Sequence, residues 1–172
     1  LMGVSHAIMS FALVYGATGK AVPASLASAG ALFPDWIERV VYGKKWMKHH
    51  RKWSHWFVPY LGLAWWLSRY IEGIPLPSIL KKLEGTLYLS LDVPTVELAL
   101  GFLFFWLVVG CLLHILEDGF FGPIPVLIPW RRHRLVYQLF KTGGMAERII
   151  SRLALISAVV LRYVDGTGSV VG

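Results

Sequence analysis

A single cysteine, Cys111, stands inside an apolar run, so the chain can build neither an intrachain disulfide framework nor a cysteine-rich zinc module. Charge is also scarce. Only 16% of the 172 residues are charged against 56% hydrophobic and 14% aromatic, and the mean hydropathy is +0.58. That is too apolar for an ordinary soluble domain of this size, and it points to a bilayer. Acids are the scarcer sign, 10 against 17 Lys+Arg for a net charge of +7, an excess that membrane proteins concentrate in short cytoplasmic loops. Orientation and anionic lipid account for a pI near 9.7, so no specific nucleic-acid partner is expected. Internal repeats and low-complexity segments are absent. No basic residue precedes Lys20, so the apolar run 7–17 and the small residues of 24–29 lack the basic start of a secretory signal, and the segment is expected to be retained.

What is present is a series of apolar segments. Residues 96–116, interrupted only by Glu97, are long enough at 1.5 Å per residue to cross a hydrocarbon core of roughly 30 Å. Residues 56–71 form a second expected span, with Trp53, Trp56 and Tyr60 at one end and Trp65, Trp66 and Tyr70 at the other, as aromatic belts require. Runs 4–17 and 21–33, joined by Thr18-Gly19-Lys20, read as a helical hairpin that is re-entrant or thinly spanning. Residues 145–164 are a helix candidate whose uncharged stretch does not decide between spanning and lying in the interface. The expected fold is all-α: a small polytopic helical membrane protein with about four to five membrane-embedded helices. Its single domain, 1–172, divides into hairpin 4–34, basic histidine-rich loop 36–55, span 56–71, outer loop 72–95, span 96–117, proline-rich apolar loop 119–130, and a basic segment with a C-terminal helix, 131–164.

Loop 36–52 carries Arg39, Lys44, Lys45, Lys48, Arg51 and Lys52, and the third loop carries Arg131, Arg132 and Arg134, whereas 72–95 is mildly acidic. Two spans separate the basic loops, so both are expected on the cytoplasmic side of a multi-pass inner-membrane protein. No charge falls at a span centre, which argues against a transporter or proton relay. The histidines and a few acids instead collect at one depth. His6 opens the first run, Asp35 closes the hairpin, His49, His50 and His55 precede the second span, and His114 with Asp118 ends the third. His114 and Asp118 share a helix face, as two ligands of one cation would, although a helix-terminal ion pair reads the same way. His50 and His55 are ligands or interfacial histidines; His6 is a ligand or a packed cap; Asp35 after Pro34 is a ligand or a helix-boundary aspartate. Their coincidence from four segments favours a site. Oxygen and nitrogen donors without sulfur suit a divalent ion, first Zn, with Mn or Fe also fitting.

The strings Gly30-Ala31-Leu32-Phe33-Pro34-Asp35, His50-Arg51-Lys52-Trp53-Ser54-His55 and His114-Ile115-Leu116-Glu117-Asp118, the last followed by the proline-rich 122–129, carry a family resemblance. In this order, over residues 3 to 130, the chain resembles the membrane-bound metal-dependent hydrolases of bacteria and archaea, the inner-membrane family in which a LexA-binding, SOS-associated member gave one of the names. The resemblance implies that His6, Asp35, His50, His55, His114 and Asp118 are the metal-site residues. The family often has a second acid two places after the aspartate, where this chain has Ile37 with Glu38 beside it, and Lys52, Ser54 and Trp56 replace the usual Gly, Thr and Ser.

Hydrolysis at the cytoplasmic face is the implied chemistry, with Arg51 and Glu38 as candidate catalytic groups. Arg51, Lys52, Arg131, Arg132 and Arg134 would attract an anionic substrate, a phosphoester or an anionic lipid of the bilayer, although the same residues orient the protein and bind headgroups. The alternative is a non-catalytic membrane component, a lipid-interacting scaffold or partner subunit, with a structural metal or none.

Overall fold

Every described element of the computed structural model is helical; the described residues are 3–71, 93–121, 123–125, 128, 131 and 144–168. Helix α1 spans Gly3–Thr18, α2 Ala21–Gly30, α3 Phe33–Tyr42, α4 Trp46–His49, α5 Phe57–Ile71, α6 Val93–Phe121 and α7 Met145–Gly168. Short 3-10 turns, Gly43–Lys45 and Trp53–His55, flank α4. Residues 72–92 of the expected outer loop and the basic stretch with Arg132 and Arg134 lie outside the described residues.

Local chemistry sets the boundaries. At the end of α1, Gly19 takes φ +68 and its N–H bonds the Tyr15 carbonyl at 2.8 Å, a left-handed stop that glycine reaches without a Cβ clash. Helix α3 begins with Pro34 in its first turn, where a missing N–H costs nothing, and Asp35 beside it meets the positive end of the helix dipole. Helix α6 runs through Phe120 and Phe121, beyond the expected 117, and stops two residues before Pro123, as the steric demand of proline on its predecessor dictates.

Helix α6 is the centre. Residues Val96–Phe120 are the one segment among those described that is long and apolar enough to cross a membrane. Helix α5 has 15 residues and α1 has 16, each short of the ~20 of a straight crossing. Helices α1 and α2 pair antiparallel, with Leu32 against Gly3 and Ser28 bonding the Ala7 carbonyl at 2.9 Å. Helix α2 then crosses α6 at very short range: a Cβ on Gly30 would sit 2.0 Å from the Leu107 oxygen, and one on Gly110 2.0 Å from that of Ala27. Even alanine at either position would drive the backbones apart, so this crossing depends on small residues, as close helix contacts in lipid do. Helix α5 packs on α6 through Ala64, Leu67 and Val108 with Tyr60, Phe105 and Leu112, and α7 lies along α1, with Ala158 against Gly16.

Leu13, Val22, Trp65, Trp66, Leu100, Phe104 and Ile156 face outward, whereas Ser5, His6, Ser10, Asp35, Glu38, His55, His114 and Asp118 are buried. Apolar outside and polar inside is the distribution for a chain whose solvent is lipid.

Candidate metal centre

Four segments bring their polar ends together where α1 starts, α3 starts and α6 ends. His6 lies one turn into α1, Asp35 and Glu38 occupy one face of α3, and His114, Glu117 and Asp118 share the last turns of α6. The fourth segment, 50–55, is bent: His50 is extended (φ −55, ψ 140) and Arg51 takes φ 58. A left-handed arginine costs ~1–2 kcal/mol, and such strain persists only where its surroundings hold it. Here the guanidinium donates to Asp118 from Nε at 2.9 Å and from Nη2 at 2.8 Å, a two-pronged contact. Ile124 and Pro125 are buried, and the Pro125 carbonyl accepts the Phe57 N–H at 3.4 Å, so these two apolar, non-helical residues are covered by protein.

All six residues singled out in the sequence lie in one network. His55 Nε2 is 3.1 Å from His114 Nε2 and 3.3 Å from Asp118 Oδ2. Asp35 Oδ1 lies 3.4 Å from His50 Nδ1, 3.7 Å from His55 Nε2 and 3.6 Å from His114 Nε2. His6 Nε2 lies 3.4 Å from Asp118 Oδ1. Three overlapping groups are spaced so that each could hold a metal ion: His6, His114 and Asp118; Asp35, His55 and His114; and Glu38, His50 and His55. Two nitrogens on one tetrahedral zinc, each at 2.0–2.1 Å, stand about 3.4 Å apart, so the separations are those of donors turned toward a shared cation. Among the described residues, four buried side-chain atoms have no hydrogen-bond partner, Trp106 Nε1 midway along α6 and three in the cluster, His6 Nε2, Asp35 Oδ1 and His114 Nδ1; His6 Nε2 and Asp35 Oδ1 lie 3.4–3.7 Å from other polar atoms of these groups.

Glu38, Ser10 and Glu117 complete the surroundings. The Glu38 carboxylate accepts from the Ser54 hydroxyl and lies 2.9 Å from His50 Nδ1 and 3.2 Å from His55 Nδ1. Glu117 Oε2 is 2.6 Å from His6 Nδ1, and its other oxygen accepts from Ser10 at 3.2 Å. A carboxylate on the far ring nitrogen fixes the tautomer and orientation of a ligating histidine. Glu117 was not anticipated as part of the site. Two adjacent acids ending an apolar helix were the available signal, and adjacent residues on a helix face different directions until a third group, here His6, lies between them. His49 stays outside the three groups and stacks on Tyr42 at 4.0 Å.

The electrostatics follow. Burial alone would raise the Asp35 and Glu38 carboxyls, but their neighbours outweigh it, the His114, His50 and His55 imidazoles beside Asp35 and the hydrogen-bonding His50, His55 and Ser54 around Glu38, and both are held down to about 2. Burial would lower His55, yet Asp118 and Glu38 overcome it and raise the imidazole to about 9. The cluster therefore favours positive charge at its centre.

A helical bundle with a lipid-type exterior, one membrane-crossing helix and a buried set of histidines and carboxylates that could hold a metal defines an integral membrane protein with a polar site at one end. The chain belongs to the YdjM inner membrane protein family, which matches residues 1–167. That description gives a membrane location and no reaction, so neither hydrolysis nor LexA binding follows from it. No curated protein and no solved structure matches the chain.

Proposed function

We propose that the protein is a metal-dependent hydrolase of the inner membrane, acting at the cytoplasmic face on a phosphoester, with a lipid-linked substrate preferred. One observation supports the reading: three donor groups overlap, the first two through His114 and the last two through His55, and two buried atoms of their residues, His6 Nε2 and Asp35 Oδ1, have no hydrogen-bond partner among the described residues. A purely structural polar network normally satisfies such atoms. His6, Asp35, His50, His55, His114 and Asp118, with Glu38, would hold one or two divalent ions, zinc by donor type. A bound divalent ion lowers the pKa of water and neutralises charge on the attacked group. In the hydrolysis, a water oxygen forms the new bond to phosphorus, the ester P–O bond breaks, and a proton passes to the leaving alcohol.

The chain's own groups supply the rest. Glu117 orients the His6 imidazole, and Arg51, its fork held on Asp118, places positive charge beside the cluster. Arg39, Lys45, Lys48 and Lys52 belong to the segment that supplies His50 and His55, which supports both an anionic substrate and a cytoplasmic placement of a multi-pass chain. The bilayer itself is then the nearest source of substrate.

Protein purified in detergent is expected to hold divalent metal by elemental analysis. His114→Ala, which removes a ligand from two of the three groups, is expected to lower metal affinity more than about 100-fold, the upper end for losing a mere supporting residue, while the helical circular dichroism stays. Metal-free wild type of normal stability overturns the proposal. Metal without cleavage of any phosphoester, carboxylic ester or amide leaves the site structural and the protein a non-catalytic membrane component.

A further inference from the structure

The described residues also enclose a cavity beside the cluster. Between α2, α5 and α6 lies a partly enclosed slot of about 270 Å³ whose wall is almost wholly apolar, with Gly30, Phe33, Tyr60, Leu63, Leu107 and Cys111 among its lining residues. Its existence follows from the helix crossing: Gly30 meets the α6 backbone without a side chain, and α5 stands off where α2 and α6 touch. The volume is slightly below the ~300–1,000 Å³ of ordinary small-molecule sites, which suits one flexible chain rather than a whole lipid.

Two contacts tie the slot to the cluster. Phe33 opens the helix that carries Asp35 and Glu38. The Tyr60 hydroxyl donates to the Ser54 carbonyl at 3.0 Å, and the Ser54 side chain donates to Glu38. From that end the slot descends along α6 to Phe104, 10 residues before His114, or about 15 Å along a helix axis. One end is thus apolar and lies along the membrane-crossing helix, while the other is linked through Tyr60 and Ser54 to Glu38 of the cluster. A molecule matching both has an acyl chain and an anionic head.

Resting on the hydrolase reading above, we infer that the slot is the acyl-chain subsite of the same centre, and that the substrate is an anionic phospholipid whose phosphoester lies at the cluster while one chain occupies the slot. The slot separates such a substrate from a soluble phosphoester, which would leave it empty of contacts.

The test uses the full chain in nanodiscs and a phosphatidic acid carrying a mid-chain diazirine. Photolysis followed by peptide mapping is expected to place the label on segments 29–33, 60–63 and 104–111. Leu63→Trp, which fills the slot from an outward-facing position, is expected to cut that labelling at least several-fold with metal content unchanged. Labelling spread evenly over lipid-facing helices and indifferent to Leu63→Trp overturns the subsite. A parallel assay compares cleavage of long-chain phosphatidic acid with that of glycerol 3-phosphate. Selectivity for the long chain that Leu63→Trp abolishes supports the subsite, and equal cleavage of both overturns it without touching the hydrolase reading. Slot labelling without any cleavage supports chain binding there and overturns catalysis instead.

Discussion

The two ends of α1 handle polar groups in opposite ways. At its C-terminal end every contact is a simple pairing: the Arg162 guanidinium caps the Tyr15 carbonyl at 3.3 Å and that of Gly16, and reaches Asp165 at 3.3 Å, while the Thr18 hydroxyl bonds the Val14 carbonyl at 2.7 Å. At the N-terminal end partners are ambiguous. Asp35 Oδ1 has three imidazole nitrogens at 3.4–3.7 Å and no hydrogen bond among the described residues, and two imidazole nitrogens face each other at 3.1 Å. A buried network built for stability alone gives each group a partner. The second arrangement has the form of a ligand set, and the comparison between ends is what separates it from ordinary helix-end electrostatics.

The largest expected effect in this contrast lies at Glu117, whose carboxylate 2.6 Å from His6 Nδ1 would position that ring rather than hold the ion. Glu117→Ala is expected to weaken metal binding about 10–100-fold, the usual cost of losing a carboxylate behind a ligating histidine. Glu117→Gln keeps an acceptor for the ring N–H and is expected to lose less. Competition with a metallochromic chelator reads both. If Ala and Gln leave the affinity untouched while lowering Tm, Glu117 is a packing residue and His6 is not a ligand.

A smaller effect concerns pH. In chelator-treated protein, His55 has its pKa raised from 6.5 to about 9, so its contribution is full below pH 6.5 and is lost as pH rises through 9. Asp35 and Glu38, lowered from 3.8 and 4.5 to about 2, contribute above their ordinary values, and that contribution is lost as pH falls through 2. Tm of the chelated protein is therefore expected to fall between pH 6.5 and 9 by several degrees, at about 2–4 °C per kcal/mol for a chain of this size. With zinc added the fall should shrink, because the ion supplies the positive charge that the His55 proton supplies without it. A fall of equal size with and without zinc would place the ion elsewhere.

Much of the site was legible because its signals are local in sequence. His114 and Asp118 are one helical turn apart, so spacing alone puts that pair on one side, whereas His50 and His55 are close in sequence around a turn and read equally as ligands or interfacial histidines. Charge asymmetry led to the expectation that all four segments share one depth, and the structure brings their side chains into one network. The all-helical fold followed from apolar runs without strand alternation. What sequence could not reach depends on contacts between distant segments. Glu117 became a site residue only through His6, 111 positions away. Glu38 was seen as a stand-in acid, but its simultaneous hold on Ser54, His50 and His55 required the left-handed backbone at Arg51. Length misled at the third span, which extends to Phe121 because proline restricts the residue before it and not those further back.

The smallest expected effect lies at the other end of α1. Arg162 is partly exposed, and its carbonyl contacts act at a helix C-terminus, where a cation typically contributes 0.3–1 kcal/mol. Arg162→Ala is therefore expected to lower stability by about 1 kcal/mol or less, a Tm change of a few degrees at most, with metal content and affinity unchanged. Arg162→Lys keeps the charge but not the planar fork that reaches two carbonyls at once, and it should fall between the two. Should Arg162→Ala release metal, α1 must transmit a change from Gly16 to His6, and the two ends would then be one coupled unit; unchanged metal binding keeps one end a cap and the other a site.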